Sequence, residues 1–275
     1  MKIGFNEATT MKYSTLEKDL MYAEKYGYDY IEIRLDKLKE YLETHNLEDL
    51  KNFFNNNNIK PYALNALEFI NLRSPEEYSQ IKADCEWACK VGEELNCGKL
   101  VVVPTFNIPD VSREQIKDSC VRVLLELSDI ADKYSMKLAF EFVGYPNCTV
   151  NNFAHAYEIV ETVNRDNVGI VVDCFHFYAM GSKLEDLRKA EGKKIFIFHI
   201  DDSEDLSVGT LDDSNRLWPG EGIIDLDNII RTLKKIGYNE MASVELFRPE
   251  YWEWDIEKTI AYGKASTEKV LKRNI

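Results

Sequence analysis

Hydrophobic residues follow two alternating patterns from one end of the chain to the other. Short runs rich in β-branched and aromatic residues predict strands, and the longer stretches between them repeat apolar residues at three- and four-residue spacing, which predicts amphipathic helices. The strand-like runs are KIGFNEA, YIEIR, KPYALNAL, KLVVVPTF, KLAFEFVG, NVGIVVD, KIFIFHID and MASVELF. Eight strand–helix units make a closed (β/α)8 TIM barrel, and a length of 275 residues suits a single barrel domain over residues 1–275.

Residues that begin and end helices occur at the expected junctions. Gly27 and Gly237 each follow a Lys-containing helical run and precede a Tyr and the next strand, where a left-handed glycine ends a helix. The longest irregular stretch runs from Asp201 to about Asp225, after the seventh strand, and therefore on the catalytic face of a barrel. A Ser with Glu or Gln three residues later is the capping-box spacing, and it predicts helix starts at Ser14, Ser74, Ser112 and Ser182.

Charge and composition exclude several classes of function. The net charge of −14 argues against a nucleic-acid partner, which normally requires a basic face. No apolar stretch is long enough to cross a bilayer, and MKIGFNEATT contains no apolar signal segment. The six cysteines form no CxxC pair, so we expect buried thiols in a reducing compartment. The sequence therefore predicts a cytoplasmic protein without a membrane partner, and it leaves homo-oligomerisation open.

Four predicted strands end on a side chain that binds divalent metals. Glu141 stands in LAFEFVG, Asp173 in GIVVDCFH, His199 in IFIFHIDD and Glu245 in ASVELFR. Each alone fits a solvated or salt-bridged strand end, but an unpaired charge among such apolar neighbours is costly to bury, and barrel strand ends meet around one rim. One imidazole and three carboxylates suit a single Mn²⁺, Co²⁺ or Zn²⁺ ion. The sequence therefore predicts a mononuclear metal site.

Three further residues lie just beyond these strands. His176 and Asp202 each follow a predicted ligand by three positions, and Arg216 lies in the long irregular stretch. We expect His176 either to bind a substrate oxygen or to cap a loop, and Arg216 either to clamp substrate or to pair with Glu221. Asp202 would orient either His199 or Arg216. All three are candidates for substrate contact.

Other polar and aromatic residues are weaker candidates. Arg34 ends the second strand, Asn65 lies on the third and Glu68 follows it, so these residues are predicted either to contact substrate hydroxyl groups or to have structural roles. Trp252 and Trp254 follow the eighth strand, where packing against the last helix is favoured over covering the pocket or a subunit interface.

Several motifs resemble one known superfamily. EFVG, DCFH, HIDD, RLWPGEG and VELFRPEY are similar to motifs of the xylose isomerase-like barrels, a superfamily of sugar isomerases and epimerases. FNEAT, YDYIEIR, ALNAL, NRDNVG and FRPEY resemble its inosose isomerase branch, over essentially the whole chain. The resemblance implies a divalent ion, two ligand glutamates that also exchange protons, and two residues near the substrate. In this chain the ligands are Glu141, Asp173, His199 and Glu245, the proton-exchanging pair is Glu141 and Glu245, and the substrate neighbours are His176 and Arg216.

The resemblance also implies a substrate and a reaction. Inosose isomerases interconvert 2-keto-myo-inositol and 1-keto-D-chiro-inositol in inositol catabolism. A cation bound to the ketone and the adjacent hydroxyl would acidify the carbon between them and stabilise an enediolate, while one glutamate removes a proton and the other returns one to the neighbouring carbon. The sequence does not decide which glutamate is the base. It contains no glycine-rich phosphate loop, which favours an uncharged polyol ketone as the substrate.

Other activities use the same set of residues. A ketose 3-epimerase would return the proton to the carbon it left, and an inosose dehydratase would eliminate water. A metal-stabilised sugar-binding protein would keep the ligands but need no acid–base pair. A DNA-repair endonuclease on this barrel needs more histidines than the four present here, and the acidic charge argues against it as well.

Overall fold

Each segment predicted as a barrel strand is extended in the computed structural model, which describes residues 1–274. Within these residues eight strands form one closed parallel barrel, in the order β1-β10-β7-β6-β5-β4-β3-β2. This confirms the predicted (β/α)8 barrel. Their bounds are β1 (Lys2–Asn6), β2 (Tyr30–Arg34), β3 (Lys60–Leu67), β4 (Lys99–Val102), β5 (Lys137–Glu141), β6 (Val168–Asp173), β7 (Ile195–Ile200) and β10 (Met241–Val244).

Helices follow the barrel strands along the chain and cover the outside of the barrel. Their apolar faces and the outward faces of the strands form one large buried core, while a separate cluster fills the barrel interior. The α-helices are α1 (Leu16–Lys25), α2 (Leu35–Thr44), α3 (Leu47–Asn56), α4 (Pro75–Leu95), α5 (Arg113–Asp132), α6 (Phe153–Val163), α7 (Cys174–Ala179), α8 (Leu184–Leu187), α9 (Leu226–Lys235), α10 (Pro249–Trp252) and α11 (Ile256–Lys272).

The barrel interior is polar near the carboxyl ends of the strands and apolar farther from those ends. Alternate strand residues such as Val101, Ala139 and Val171 belong to the interior cluster, because side chains along a strand point to opposite faces in turn. Gly4 makes room for this cluster, since a Cβ there would collide with the Sδ atom of Met241. Toward the carboxyl ends of the strands, ionisable side chains replace the apolar ones, and this end of the barrel carries the predicted site.

Two of the four predicted capping boxes are confirmed. The Oγ of Ser74 accepts a hydrogen bond from the backbone N–H of Glu77 at 3.3 Å, and that glutamate accepts one in return from the backbone of Ser74 at 3.0 Å. Ser112 forms the same arrangement with Gln115. The left-handed glycines are also confirmed, with φ values of 69° at Gly27 and 98° at Gly237.

The other two predicted helix starts are wrong. Helix α1 is capped by Thr15 rather than Ser14, because the extended backbone of Thr15 directs its Oγ1 to the N–H of Lys18 at 3.4 Å. Helix α8 follows Lys183, which makes no capping bond with its side chain. Ser182 instead connects two segments of the chain, because its Oγ accepts a hydrogen bond from the backbone N–H of Phe153 at 3.0 Å.

The stretch from Asp201 to Asp225 is more ordered than the sequence indicated. It contains two short antiparallel strands, β8 (Asp202–Ser203) and β9 (Arg216–Leu217), and a turn of 3-10 helix, Asp213–Asn215. The pairing is too short to show a hydrophobic period, which explains why the sequence predicted only a loop.

The six cysteines are all buried and free, as predicted. Cys85 and Cys89 lie one turn apart on α4, with their sulfur atoms 4.0 Å apart. Among residues 1–274, no helix has both the length and the apolar character that crossing a bilayer requires.

Candidate metal centre

Four neighbouring strands of the barrel bring the predicted ligands together. Glu141 and Asp173 are the last residues of β5 and β6, His199 lies on β7, and Glu245 directly follows β10. Asp173 and His199 are register partners on adjacent strands. The four side chains are buried, and each offers a ligand atom that lies within 4.8 Å of the other three.

The distances centre on one nitrogen of the histidine. Nδ1 of His199 lies 3.0 Å from Oε1 of Glu141, 3.0 Å from Oε2 of Glu245 and 3.7 Å from Oδ2 of Asp173. One imidazole nitrogen and three carboxylate oxygens are a donor set that suits a borderline or hard divalent cation. The residues therefore fit the divalent metal that the sequence predicted.

The electrostatics of the cluster also favour a cation. Burial, together with the charges of Glu245 and Asp173, raises the pKa of Glu141 to about 8. Burial likewise raises the pKa of Glu245. Burial opposes the charged form of His199, but the surrounding carboxylates outweigh it and raise the pKa of the imidazole well above its usual value. Burial and the crowding of several carboxylates act together in these shifts, and a divalent ion would offset the negative charge of the cluster.

Arg216 lies against this cluster as a fully buried cation. Its Nη1 donates to Oδ2 of Asp173 at 2.8 Å and also contacts Asp201, and its Nε donates to Oδ1 of Asp213 at 2.7 Å. Although burial acts in the opposite direction, Arg216 holds the pKa of Asp173 well below its usual range. The predicted pairing with Glu221 is wrong, because that glutamate accepts a hydrogen bond from the Tyr262 hydroxyl at 2.5 Å instead.

His176 is brought to the cluster by the first turn of α7. Its backbone N–H donates to Oδ1 of Asp173 at 2.6 Å, and its ring Nε2 lies 3.0 Å from Nη2 of Arg216. Because a guanidinium only donates, Nε2 accepts this bond and Nδ1 carries the ring proton. Burial, with a smaller effect of Arg216, lowers the pKa of His176 to about 4, so the ring is neutral near pH 7.

Asp202 does not reach the site. Its carboxylate accepts backbone N–H bonds from Ser203 and Ile224, both at 2.9 Å, and from Gly220 at 3.1 Å, so it holds the loop together. The carboxylate that contacts Arg216 is that of Asp201. Alternate strand residues share a face, so Asp201, two positions after His199, follows it toward the interior and Asp202 turns away.

A cavity of about 390 Å³ opens beside the cluster. Glu141, Glu245 and His176 line one part of it, and Arg34, Asn65 and Glu68 line another, as the sequence suggested for these weaker candidates. Aromatic side chains complete the wall, namely Phe69, Phe106, Tyr145 and Phe247. Its volume is typical of sites for small molecules. Arg216 and Asp202 are not among its lining residues within the part of the chain described.

The two tryptophans after β10 pack within the protein. The ring of Trp254 contacts those of Trp218, Tyr251 and Tyr262, the last of which lies on α11. Trp252 is buried and donates its Nε1–H to the carbonyl oxygen of Ala8 at 3.0 Å. The predicted packing against the last helix is confirmed for Trp254.

Comparison with known families agrees with the geometry. Residues 20–266 match the family of xylose isomerase-like TIM barrels. The chain belongs to this family. Among solved structures, it superimposes on a crystal structure of the IOLI protein with a binding zinc atom at a TM-score of 0.98, with 51% identity, 100% of this chain and 99% of the other covered.

Curated members of the xylose isomerase-like family match over the full length. An inosose isomerase of Bacillus licheniformis is 54% identical over 274 residues, which cover 99% of each chain. One of Halalkalibacterium halodurans is 51% identical over 275 residues, 100% of this chain and 98% of its own. A D-psicose 3-epimerase structure, at 18% identity and a TM-score of 0.80, shares the fold.

Two buried residues of this xylose isomerase-like barrel were not predicted from the sequence. Nδ2 of Asn6, at the end of β1, donates to Oε1 of Glu245 at 2.7 Å. Glu32, on β2, places its carboxylate 3.1 Å from Nε2 of His199. The signal for Glu32 is its position between two isoleucines in YIEIR, where a charged side chain on a central strand needs a partner.

Proposed function

We propose that this chain is an inosose isomerase, which interconverts 2-keto-myo-inositol and 1-keto-D-chiro-inositol. The observation that carries the proposal is identity of 51–54% to inosose isomerases over essentially the full length of both chains. The cavity beside the ligand cluster supports it, because about 390 Å³ accommodates a six-membered polyol ring and several lining residues are polar.

The same proposal includes a metal ion. Glu141, Asp173, His199 and Glu245 would hold one divalent cation, and zinc is the first choice because the IOLI protein structure contains it. Mn²⁺ and Co²⁺ suit the same donors. When bound, the ion supplies positive charge that acidifies the carbon between the ketone and its neighbouring hydroxyl.

Glu141 and Glu245 are the proposed acid–base pair. Both line the cavity, and their carboxylates approach the same nitrogen of His199 from different strands. One takes the proton from the carbon that bears the hydroxyl, and the other gives a proton to the former carbonyl carbon, while the hydroxyl proton passes to the former carbonyl oxygen. No atoms are gained or lost, so the product is an isomer of the substrate.

The remaining lining residues would bind and orient the ring. His176 is neutral and carries its proton on Nδ1, for which no partner is found in residues 1–274, so it is suited to donate to a substrate oxygen. Arg34, Asn65 and Glu68 also line the cavity and offer donors and acceptors for hydroxyl groups of the ring. An uncharged polyol satisfies these groups without adding to the negative charge already buried there.

The test is isotope exchange in D₂O. Zinc-loaded protein is incubated with 2-keto-myo-inositol while the ring protons are followed by NMR. We expect the carbonyl to migrate and deuterium to enter the carbon next to the ketone. Glu245→Gln should reduce the rate at least 100-fold, roughly the contribution of a general acid or base. The exposed Glu253, changed to Gln, serves as the matched control and should keep the wild-type rate.

Each competing activity has its own outcome in this experiment. Inversion at a carbon without carbonyl migration indicates an epimerase, and loss of water indicates a dehydratase. Saturable binding of the ketone without exchange or conversion, unaffected by Glu245→Gln, indicates a sugar-binding protein. Any of these results would contradict the isomerase proposal.

A further inference from the structure

Glu32 is a buried carboxylate inside the barrel. It lies in the middle of β2, is fully inaccessible to solvent, and has Asn6 and Ala63 as register partners on the neighbouring strands. Its place in the interior follows from strand alternation, because the flanking residues Ile31 and Ile33 belong to the core between barrel and helices. A carboxylate in such a position is costly unless a partner offsets its charge.

That partner is His199, which reaches Glu32 from β7. Both carboxylate oxygens face the same ring nitrogen, with Oε1 at 3.1 Å and Oε2 at 3.2 Å from Nε2. Within residues 1–274, these are the hydrogen bonds found for the Glu32 side chain. The strand β2 supplies none of the four clustered residues, and the hydrogen bonds found for Glu32 within residues 1–274 reach the cluster at the histidine.

The two nitrogens of His199 therefore face different partners. Nε2 faces Glu32, and Nδ1 faces Glu141, Glu245 and Asp173. A carboxylate accepts but does not donate when ionised, so the Nε2 position must carry a proton to bond to Glu32. When an ion replaces the proton on Nδ1, the lone pair of that nitrogen is directed at the position that Glu141, Glu245 and Asp173 would share around the metal.

We propose that Glu32 is a positioning residue for the metal centre: by accepting the Nε2 proton of His199, it fixes the ring and its tautomer so that Nδ1 faces the ion. The inference rests on the proposed metal site but not on the identity of the substrate. A carboxylate behind a ligand histidine also makes the imidazole a stronger donor, and loss of such a partner typically weakens metal binding 10- to 100-fold.

Zinc affinity is the first measurement. Metal-free wild-type protein, Glu32→Leu and Glu32→Gln are titrated with zinc against a chromophoric chelator, and thermal unfolding of the metal-free proteins tests their folding. We expect Glu32→Leu to bind zinc 10- to 100-fold more weakly. Glu32→Gln should fall between it and the wild type, because its amide oxygen still accepts the bond but carries no charge.

A matched control separates this effect from loss of any buried carboxylate. Asp19 is also fully buried, but it pairs with Lys37 and Thr10 and contacts none of the four clustered residues. Asp19→Asn should therefore bind zinc within twofold of the wild type. A loss of affinity in this variant as large as that of Glu32→Leu would overturn the inference.

A second measurement reports on the ring itself. In zinc-loaded wild-type protein labelled with ¹⁵N-histidine, the Nε2–H proton of His199 should give a downfield signal that exchanges slowly with solvent. Glu32→Gln should move this signal upfield and speed its exchange. If Glu32→Leu does not fold, Glu32→Gln decides alone: an unchanged signal with affinity within twofold of the wild type overturns the proposal.

These readouts remain separate from those of the proposed reaction. Failure to convert 2-keto-myo-inositol in wild-type protein would contradict the isomerase proposal, yet zinc affinity and the His199 signal would still test Glu32. Conversely, normal turnover with unaltered zinc binding in Glu32→Leu would overturn the role of Glu32 and leave the isomerase proposal in place.

Discussion

At the residue scale, Arg216 shows how a buried cation holds the carboxylates of the site in place. Its fully buried guanidinium contacts Asp173, Asp201 and Asp213, and it orients the ring of His176. Removing one partner of a buried ion pair is expensive because the other charges stay buried without compensation. Arg216 therefore supports the proposed metal ligand Asp173 structurally, although in the described part of the chain it is not among the lining residues of the cavity.

Replacing Arg216 with Met should lower the free energy of unfolding by about 3–5 kcal/mol, since several buried carboxylates lose their cation. Arg248 is the matched control, because it pairs with Glu204 and Glu250 near the surface. Arg248→Met should cost about 1 kcal/mol or less. Urea unfolding of the metal-free proteins measures both values, and equal losses would contradict the structural role given to Arg216.

A second prediction at this scale concerns His155, which is buried on α6. Burial, followed by the charge of Arg113, lowers the pKa of His155 to about 4 from the usual 6.5. The folded protein therefore binds this proton less readily than the unfolded chain. The resulting stability is fully present above pH 6.5 and is lost as the pH falls toward 4.

Between pH 7 and pH 5, the free energy of unfolding of the wild type should fall by about 1–2 kcal/mol more than that of a His155→Gln variant. The variant lacks the titrating imidazole and therefore lacks this contribution. Urea unfolding of the two proteins at both pH values provides the comparison. Parallel changes in wild type and variant would show that protonation of His155 is not coupled to unfolding.

At the element scale, helix α4 shows how local sequence fixes where a helix begins. Ser74 and Glu77 satisfy each other's backbone N–H groups, and Pro75 occupies the first helical turn. Ser14 has the same spacing to a glutamate, but the adjacent Thr15 takes the capping position in the structure. The spacing alone therefore cannot decide between two neighbouring residues that are both able to cap.

Ser74→Ala should lower the free energy of unfolding by about 1 kcal/mol, the usual value of a lost N-cap. Ser14→Ala removes the same hydroxyl group from a residue that caps no helix, so its effect should be only a few tenths of a kcal/mol. Thermal or urea unfolding distinguishes the two variants. A larger loss in Ser14→Ala would place the start of α1 one residue earlier.

At the scale of the whole molecule, the proposed ligands come from β5, β6, β7 and β10, four consecutive strands of the closed barrel. Three of the ligands are carboxylates, which repel one another when ionised. An ion held between them would connect the four strands on this side of the barrel and would offset this repulsion. Metal binding should therefore stabilise the entire fold.

Zinc at about 100 times its dissociation constant should add about 2.7 kcal/mol to the free energy of unfolding, because the unfolded chain lacks the assembled site. Calorimetry of the protein after chelation and after zinc addition measures the gain. Glu141→Gln, which weakens one ligand at the cavity wall, should show a clearly smaller gain. An equal gain in this variant would mean that zinc binds elsewhere.

Much of the architecture could be predicted because it depends on the hydrophobic periodicity of short segments of the chain. Runs such as YIEIR and KLAFEFVG identify the barrel strands, and their order along the chain implies a barrel whose C-terminal strand ends meet. Glu141, Asp173, His199 and Glu245 could be identified because each lies where a strand ends. Their convergence needed only the topology of the fold.

The sequence by itself thus determined the barrel, the face that carries the site and the four residues that meet there. Only the tertiary structure decided that Asp201 rather than Asp202 contacts Arg216, that Arg216 is buried against Asp173, and that Glu32 reaches His199. The reason is physical. The two-residue period of a strand fixes the face on which each side chain lies. The partner of that side chain across the barrel depends on how distant segments come together in three dimensions.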